Sequence, residues 1–185
     1  MNETIKTILE RRSIRKYKEE QIKDEELKLL LKAGAYAPNG MNKQLWHFTA
    51  VQNKAYIYTI SNGTKVKMRT MDIPMYQERA KDPDYHVFFN APTVIIVSHD
   101  GTPRTTTDSA MATENIVLAA HSLGIGSCII GSFNLFIDTP EGQAFCETLK
   151  IPTGYKPMLS IAIGYSGMEH PQAPQRKDDV FTIIK

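Results

Sequence analysis

The sequence predicts a single α+β domain. Apolar residues recur at helical spacing in several stretches, and one apolar run without alternation marks a buried strand. The two kinds of element also mix without a regular βαβ rhythm. A length of 185 residues suits one domain, here residues 1–185, and leaves little room for two. With 42% hydrophobic and 23% charged residues, the composition is that of an ordinary globular chain and argues against extensive disorder. A domain of this size buries roughly 70% of its unfolded surface, enough for a stable core.

The elements follow in order. Ile5, Ile8 and Leu9 stand at i, i+3, i+4 spacing and predict a helix from about Asn2 to Arg11. Asp24 reads as the N-cap of a second helix whose Leu27, Leu30, Leu31 and Ala35 share one stripe. That helix must end before Pro38, because a residue preceding proline is driven out of the helical region. Asn39-Gly40 then supplies turn chemistry. Trp46 to Val51 reads as a strand, and Thr93 to Val97 as a buried one. Between them Ser61 to Asp84 is polar and Met-rich with no strong periodicity, and is expected to be a lid or insertion. A long helix is predicted from about Thr107 to Leu123, ended by Gly124, then a short strand from Ser127 to Ile130. Thr139-Pro140 has the chemistry of a helix start, and Leu159 to Gly164 is a last strand before a Pro- and charge-rich tail.

Charge and cysteines narrow the function. The net charge is only +2, which gives no general reason to expect nucleic acid or an anionic membrane as a partner. Cys128 and Cys146 have no Cys-x-x-Cys spacing and no paired histidines beside them, so neither a disulfide framework nor a metal site is expected. The opening Met1-Asn2-Glu3-Thr4 turns polar and charged at once, and no apolar run approaches the roughly 20 residues of a membrane span. A cytoplasmic location is the expectation.

Two segments carry candidate chemistry. Arg11-Arg12-Ser13-Ile14-Arg15 closes the first helix and offers several charge-assisted donors to a phosphate dianion, although a solvated basic surface explains it equally well. Pro38-Asn39-Gly40-Met41-Asn42-Lys43-Gln44-Leu45-Trp46 places amides that donate and accept beside an aromatic strand, which suits the edge of a flat heterocycle. Taken alone, it is equally a helix-to-strand loop.

Together with Ala91-Pro92-Thr93-Val94 and Gly124-Ile125-Gly126-Ser127-Cys128-Ile129-Ile130-Gly131, these segments resemble the signatures of the nitroreductase family, in the family's order and over most of the chain. The resemblance implies a central, mostly antiparallel sheet flanked by helices, and a homodimer with a domain-swapped type of interface. It implies FMN as cofactor, with NADH or NADPH as electron donor. Arg11, Arg12 and Ser13 would hold the FMN phosphate and ribityl chain, and Arg15 would lie near the pyrimidine side of the ring. Pro38, Asn39, Gly40 and Asn42 would reach the flavin from the other subunit. The Ile129-Ile130-Gly131 turn would present backbone N–H groups to the ring, and Arg176 and Lys177 would complete the phosphate site. Asn39-Gly40 stands where the family often has serine, and Leu45 where it usually has proline. Lys65 and Lys67 are the available candidates for the family's ring-contacting lysine.

Other residues have plainer readings. Cys128 reads as a packed residue and His121 as a hydrogen-bonded one on an apolar helix face. Asp108 and Glu114 read as capping or solvated carboxylates, whereas Met68, Met71 and Met75 are candidates for a pliable substrate wall. The implied function is ping-pong electron transfer from NAD(P)H to small flat acceptors, nitroaromatics or quinones, with no protein nucleophile. Two rivals stand beside it: different flavin chemistry on the same fold (dehalogenation or flavin cleavage), and a non-enzymatic flavin-binding regulator.

Overall fold

Every residue of the strand Thr93–His99 is buried, as an apolar run without alternation requires of a strand covered on both faces. In the computed structural model, which describes residues 1–185, this strand is β2 of a four-stranded antiparallel sheet. The others are β1 (Trp46–Val51), β3 (Gly126–Ile130) and β4 (Lys156–Gly164), and the spatial order is β1-β2-β4-β3. The helices are α1 (Glu3–Glu10), α2 (Asp24–Ala35), α3 (Lys54–Thr70), α4 (Pro74–Lys81), α5 (Pro103–Ser122), α6 (Asn134–Ile137) and α7 (Pro140–Thr148). The class is α+β, as the mixed rhythm predicts.

The two faces of the sheet follow from the two-residue period of a strand. Ile95 and Val97 of β2, with Ile161 and Ile163 of β4, pack on Leu30 of α2 and on Ile116, Val117 and Ala120 of α5. Val94 and Ile96, turned the other way, join Cys128 and Ala162 against Ile57 and Ile60 of α3 and the Phe133–Ile137 segment.

Local chemistry explains most element ends. The Asn2 side chain caps α1 through Ile5 N–H at 3.0 Å, and the Thr139 side chain caps α7 through Gly142 N–H at 3.0 Å. Asp24 is not the cap of α2 but its first residue: the cap position is Lys23, whose N–H donates to the Glu26 carboxylate at 2.9 Å. A side chain at Gly142 would overlap the Phe136 carbonyl, so only glycine lets α7 pack there.

The stretch from Ser61 to Asp84 is helical for most of its length, as the second half of α3 and all of α4. The periodicity of α3 is present but disguised. Its buried residues are Ile57, Ile60, Ser61, Thr64 and Met68, and two of these five are polar. Each finds a partner: Thr64 Oγ1 donates to Ile60 O at 2.8 Å within the helix, and Ser61 Oγ accepts from Val87 N–H at 3.0 Å. No helix is long and apolar enough to cross a membrane.

Candidate functional site

After α1 the backbone turns extended at Arg11 (φ −53°, ψ 130°) and runs beside the sheet. Ser13 forms a parallel bridge with Ser127 of β3, and Ile14 N–H donates to Ser127 O at 2.9 Å. An extended segment points successive side chains to opposite sides, and this divides the basic cluster. Arg12 and Ile14 line a small cavity of about 180 Å³ with His121 and His170. There the Arg12 Nη1 atom donates to Leu9 O and Arg11 O, both at 2.7 Å. Arg15 instead enters a separate cavity of about 330 Å³, which Cys128 also lines.

This second cavity takes its walls from three parts of the chain. The end of β3 contributes Cys128 to Ile130 and the following Gly131 and Ser132. Gly131 and Ser132 lie past the last ladder pair, and their N–H groups have no acceptor in the chain. From α4 come Met75, Tyr76 and Arg79, and from the segment before β2 come Tyr85, Val87 and Phe89. The Arg15 guanidinium stands 6.0 Å from the Phe89 ring centroid, and that of Arg79 stands 5.9 Å from the Tyr85 ring centroid. No aspartate or glutamate lines the cavity. Burial pushes the Cys128 thiol up despite the nearby Arg15, so it is a neutral packed group here rather than a nucleophile.

Phe89 is held by an unusual turn. Phe89 and Asn90 both have left-handed backbone, with φ of 54° and 56°. The strain is countered by His86, whose Nδ1 accepts N–H bonds from Phe88 at 3.2 Å and Asn90 at 3.4 Å. Burial, helped by the Lys65 charge, brings the His86 pKa down to about 4. That keeps the imidazole neutral, the state able to accept these bonds. Lys65 does not reach the cavity: its ammonium donates to Asp82 O and Tyr85 O, both at 2.9 Å, and so fixes the segment carrying Tyr85. Lys67 is exposed.

The remaining predicted residues lie elsewhere on the single chain. Arg11 faces Glu114 of α5, with Nε 4.0 Å from its carboxylate. The loop from Pro38 to Asn42 is outside the cavity and tied to the body by Gly40 N–H donating to Asp108 at 3.2 Å. Met41, Asn42 and Gln44 are all left-handed, and Asn39 stitches the loop by accepting Gln44 N–H at 2.9 Å. Arg176 and Lys177 are exposed in a stretch without regular secondary structure. His121 makes no hydrogen bond with its ring; it lies against His170, centroids 5.5 Å apart. Of the three methionines, Met75 lines the cavity, whereas Met68 is in the core. Tyr76, Arg79, Tyr85 and Phe89 also line the cavity, and their only signal in the sequence is their place beside Met75 and before Ala91-Pro92.

Comparison with known proteins bears on what this cavity holds. A family model described as the nitroreductase family matches residues 8–165. The crystal structure of a nitroreductase with bound FMN from Bacteroides fragilis superposes with a TM-score of 0.92, at 36% identity, over 100% of each chain. A second, a nitroreductase with bound FMN from Desulfitobacterium hafniense, gives 0.91 at 29% identity, again over 100% of each chain. The Bacillus subtilis FMN reductase [NAD(P)H] is 27% identical over 188 residues, covering 95% of this chain and 72% of that protein.

Proposed function

We propose, from the premise that the chain belongs to the nitroreductase family, that it is an FMN-dependent NAD(P)H oxidoreductase passing electrons by ping-pong exchange to flat acceptors such as nitroaromatics and quinones. The observation that carries this reading is the pairing, in one cavity, of the Arg15 cation with the free N–H groups of Gly131 and Ser132. That donor set fits a flavin, whose ring edge is rich in acceptors and which gains negative charge on reduction. The aromatic and aliphatic walls fit its flat faces. FMN held here would supply the redox chemistry between NAD(P)H and the second substrate.

The chain's own residues bind and orient. Arg15 would hold a permanent positive charge near the pyrimidine side of the ring, where it would favour the reduced state. The free N–H groups of Gly131 and Ser132 would donate to the ring edge, and the partly exposed Ile129 would pack on a ring face. Arg11 and Ser13 would hold the phosphate at the cavity's edge. Arg12, committed to two carbonyls, supports the segment from behind rather than completing that grip.

Pro38, Asn39, Gly40 and Asn42 complete the site from a second copy of the chain, and Arg176 and Lys177 complete the phosphate site. This is supported by what a single chain leaves open. Ile5, Ile8 and Leu9 of α1 are about half exposed, and Val180, Phe181, Ile183 and Ile184 are almost wholly so. Three left-handed non-glycine residues in the exposed 39–44 loop are also strain of the kind that accumulates at ligand-contacting segments. The absorption spectrum of the purified protein, read beside its mass in solution, tests the proposal. Flavin bands on a dimer are expected; a colourless protein that takes up no added FMN, or a monomer that holds FMN tightly, would sink it.

A further inference from the structure

The cavity holds two guanidinium groups, and the flavin reading employs only Arg15. Arg79 stands on a different wall, in the last turn of α4. It has no acidic partner: the one ion pair in the chain joins Arg11 to Glu114. The acidic residues nearest in sequence, Glu78, Asp82 and Asp84, are exposed and do not line the cavity, and the Asp82 carboxylate accepts Asp84 N–H at 2.9 Å. What Arg79 does touch is Tyr85. Its guanidinium lies 5.9 Å from the ring centroid. A planar fork held against an aromatic ring is partly ordered before any ligand arrives, so less conformational freedom is lost when an anion binds. Beside it, Met75 and Tyr76 offer an apolar, aromatic surface of the kind on which a flat ring stacks.

We propose that Arg79 selects the electron acceptor: it pairs with an anionic substituent, a carboxylate on an aromatic ring being the simplest, while the ring itself stacks between the α4 wall and the flavin. This rests on the flavin reading of the cavity and names the acceptor class within it. A charge-assisted hydrogen bond in a partly enclosed site favours the anionic ligand about ten- to a hundredfold over its neutral isostere. The dinucleotide donor also carries anionic groups, but its KM distinguishes that role.

The test uses oxidised FMN-loaded protein and two non-reducible probes, benzoate and benzamide, titrated by calorimetry. Benzoate should bind at least tenfold more tightly. Arg79→Gln should erase the preference by weakening benzoate alone, with flavin content unchanged, and Arg79→Lys should restore part of it. In turnover, Arg79→Gln should lower kcat/KM for 4-nitrobenzoate about tenfold or more while leaving nitrobenzene and the KM for NADH as they were. Equal affinity of the two probes for the wild-type protein would overturn the proposal. So would an Arg79→Gln protein that loses flavin or raises the KM for NADH with its benzoate preference intact, since Arg79 would then serve the cofactor or the donor. Failure to take up FMN at all is read before any probe is added, and would overturn the flavin reading itself.

Discussion

The cavity around Arg15 and the edge formed by α1, the 38–44 loop and the C-terminal stretch are built in opposite ways. The cavity is assembled on the central sheet. Arg15 follows a segment bridged to β3, and Phe89 follows a turn tied by His86, Lys65 holding the neighbouring Tyr85 segment. Each piece has its packing and its hydrogen bonds within one chain. The edge has hydrogen bonds but little burial: Gly40 and Gln44 are tied to Asp108 and Asn39, yet α1 buries none of its eight residues, and the last residues of the chain expose Phe181, Ile183 and Ile184. An isolated helix of this length is marginal in water, so α1 requires a surface to lie on. The contrast teaches that the cavity walls are a property of the single chain, whereas the edge leaves apolar surface that the single chain does not cover.

The largest test of that contrast compares two isoleucine truncations. Ile161→Ala, at a fully buried core position, should cost about 2–5 kcal/mol and lower Tm accordingly. Ile8→Ala on α1 should leave the dilute single chain within about 0.5 kcal/mol of wild type. Equal losses in chemical denaturation at low protein concentration would abolish the distinction.

Flavin retention probes the cavity itself. Replacing Arg11 and Arg15 together by alanine removes two charge-assisted contacts, each on the order of 1.5–3 kcal/mol, and FMN should bind at least about a hundredfold more weakly. A double variant that remains yellow through desalting, with full flavin content, would take both residues out of the site. Assembly comes next. Ile5→Ser with Ile8→Ser should shift sedimentation toward the monomer while the far-UV circular dichroism stays unchanged; a wild-type protein that already sediments as a monomer would refute the role given to the edge.

The smallest effect is one of pH, and it belongs to the cavity alone. His86 titrates near 6.5 when unfolded and at about 4 in the fold, so between those values the unfolded chain binds the extra proton. Its contribution is therefore complete above about pH 6.5 and is lost as pH falls toward about 4, where Nδ1 becomes a donor facing two N–H groups. Urea midpoints at pH 7 and pH 5 should show this decline, and His86→Asn should flatten it. An unchanged slope would mean that the turn does not depend on the neutral ring.

Much of this was legible from spacing and caps alone. Trp46–Val51 was expected at the limits observed, and Thr139-Pro140 starts a helix as predicted, because a cap and the residues it serves lie within one turn. The family signatures were legible for the same reason. Helix α3 was not, because Ser61 and Thr64 interrupt its stripe, and their burial is tolerable only through partners that the pattern does not announce. The resemblance implies one role for Arg11, Arg12 and Ser13; that Arg12 lines the other cavity and donates to Leu9 O and Arg11 O follows from the alternation of an extended backbone, which a motif does not show.

By itself, then, the sequence determined the class, the sheet strands, the family and the identity of Arg15 and the Ile129-Gly131 turn as candidates. Those features rest on interactions between near neighbours or on motifs read in order. Only the tertiary structure decided that Arg15 parts from Arg12, that α4 brings Arg79 and Tyr76 to the same cavity, and that a neutral His86 holds Phe89 in place. Those outcomes depend on which segments, distant along the chain, the burial of the two sheet faces draws together.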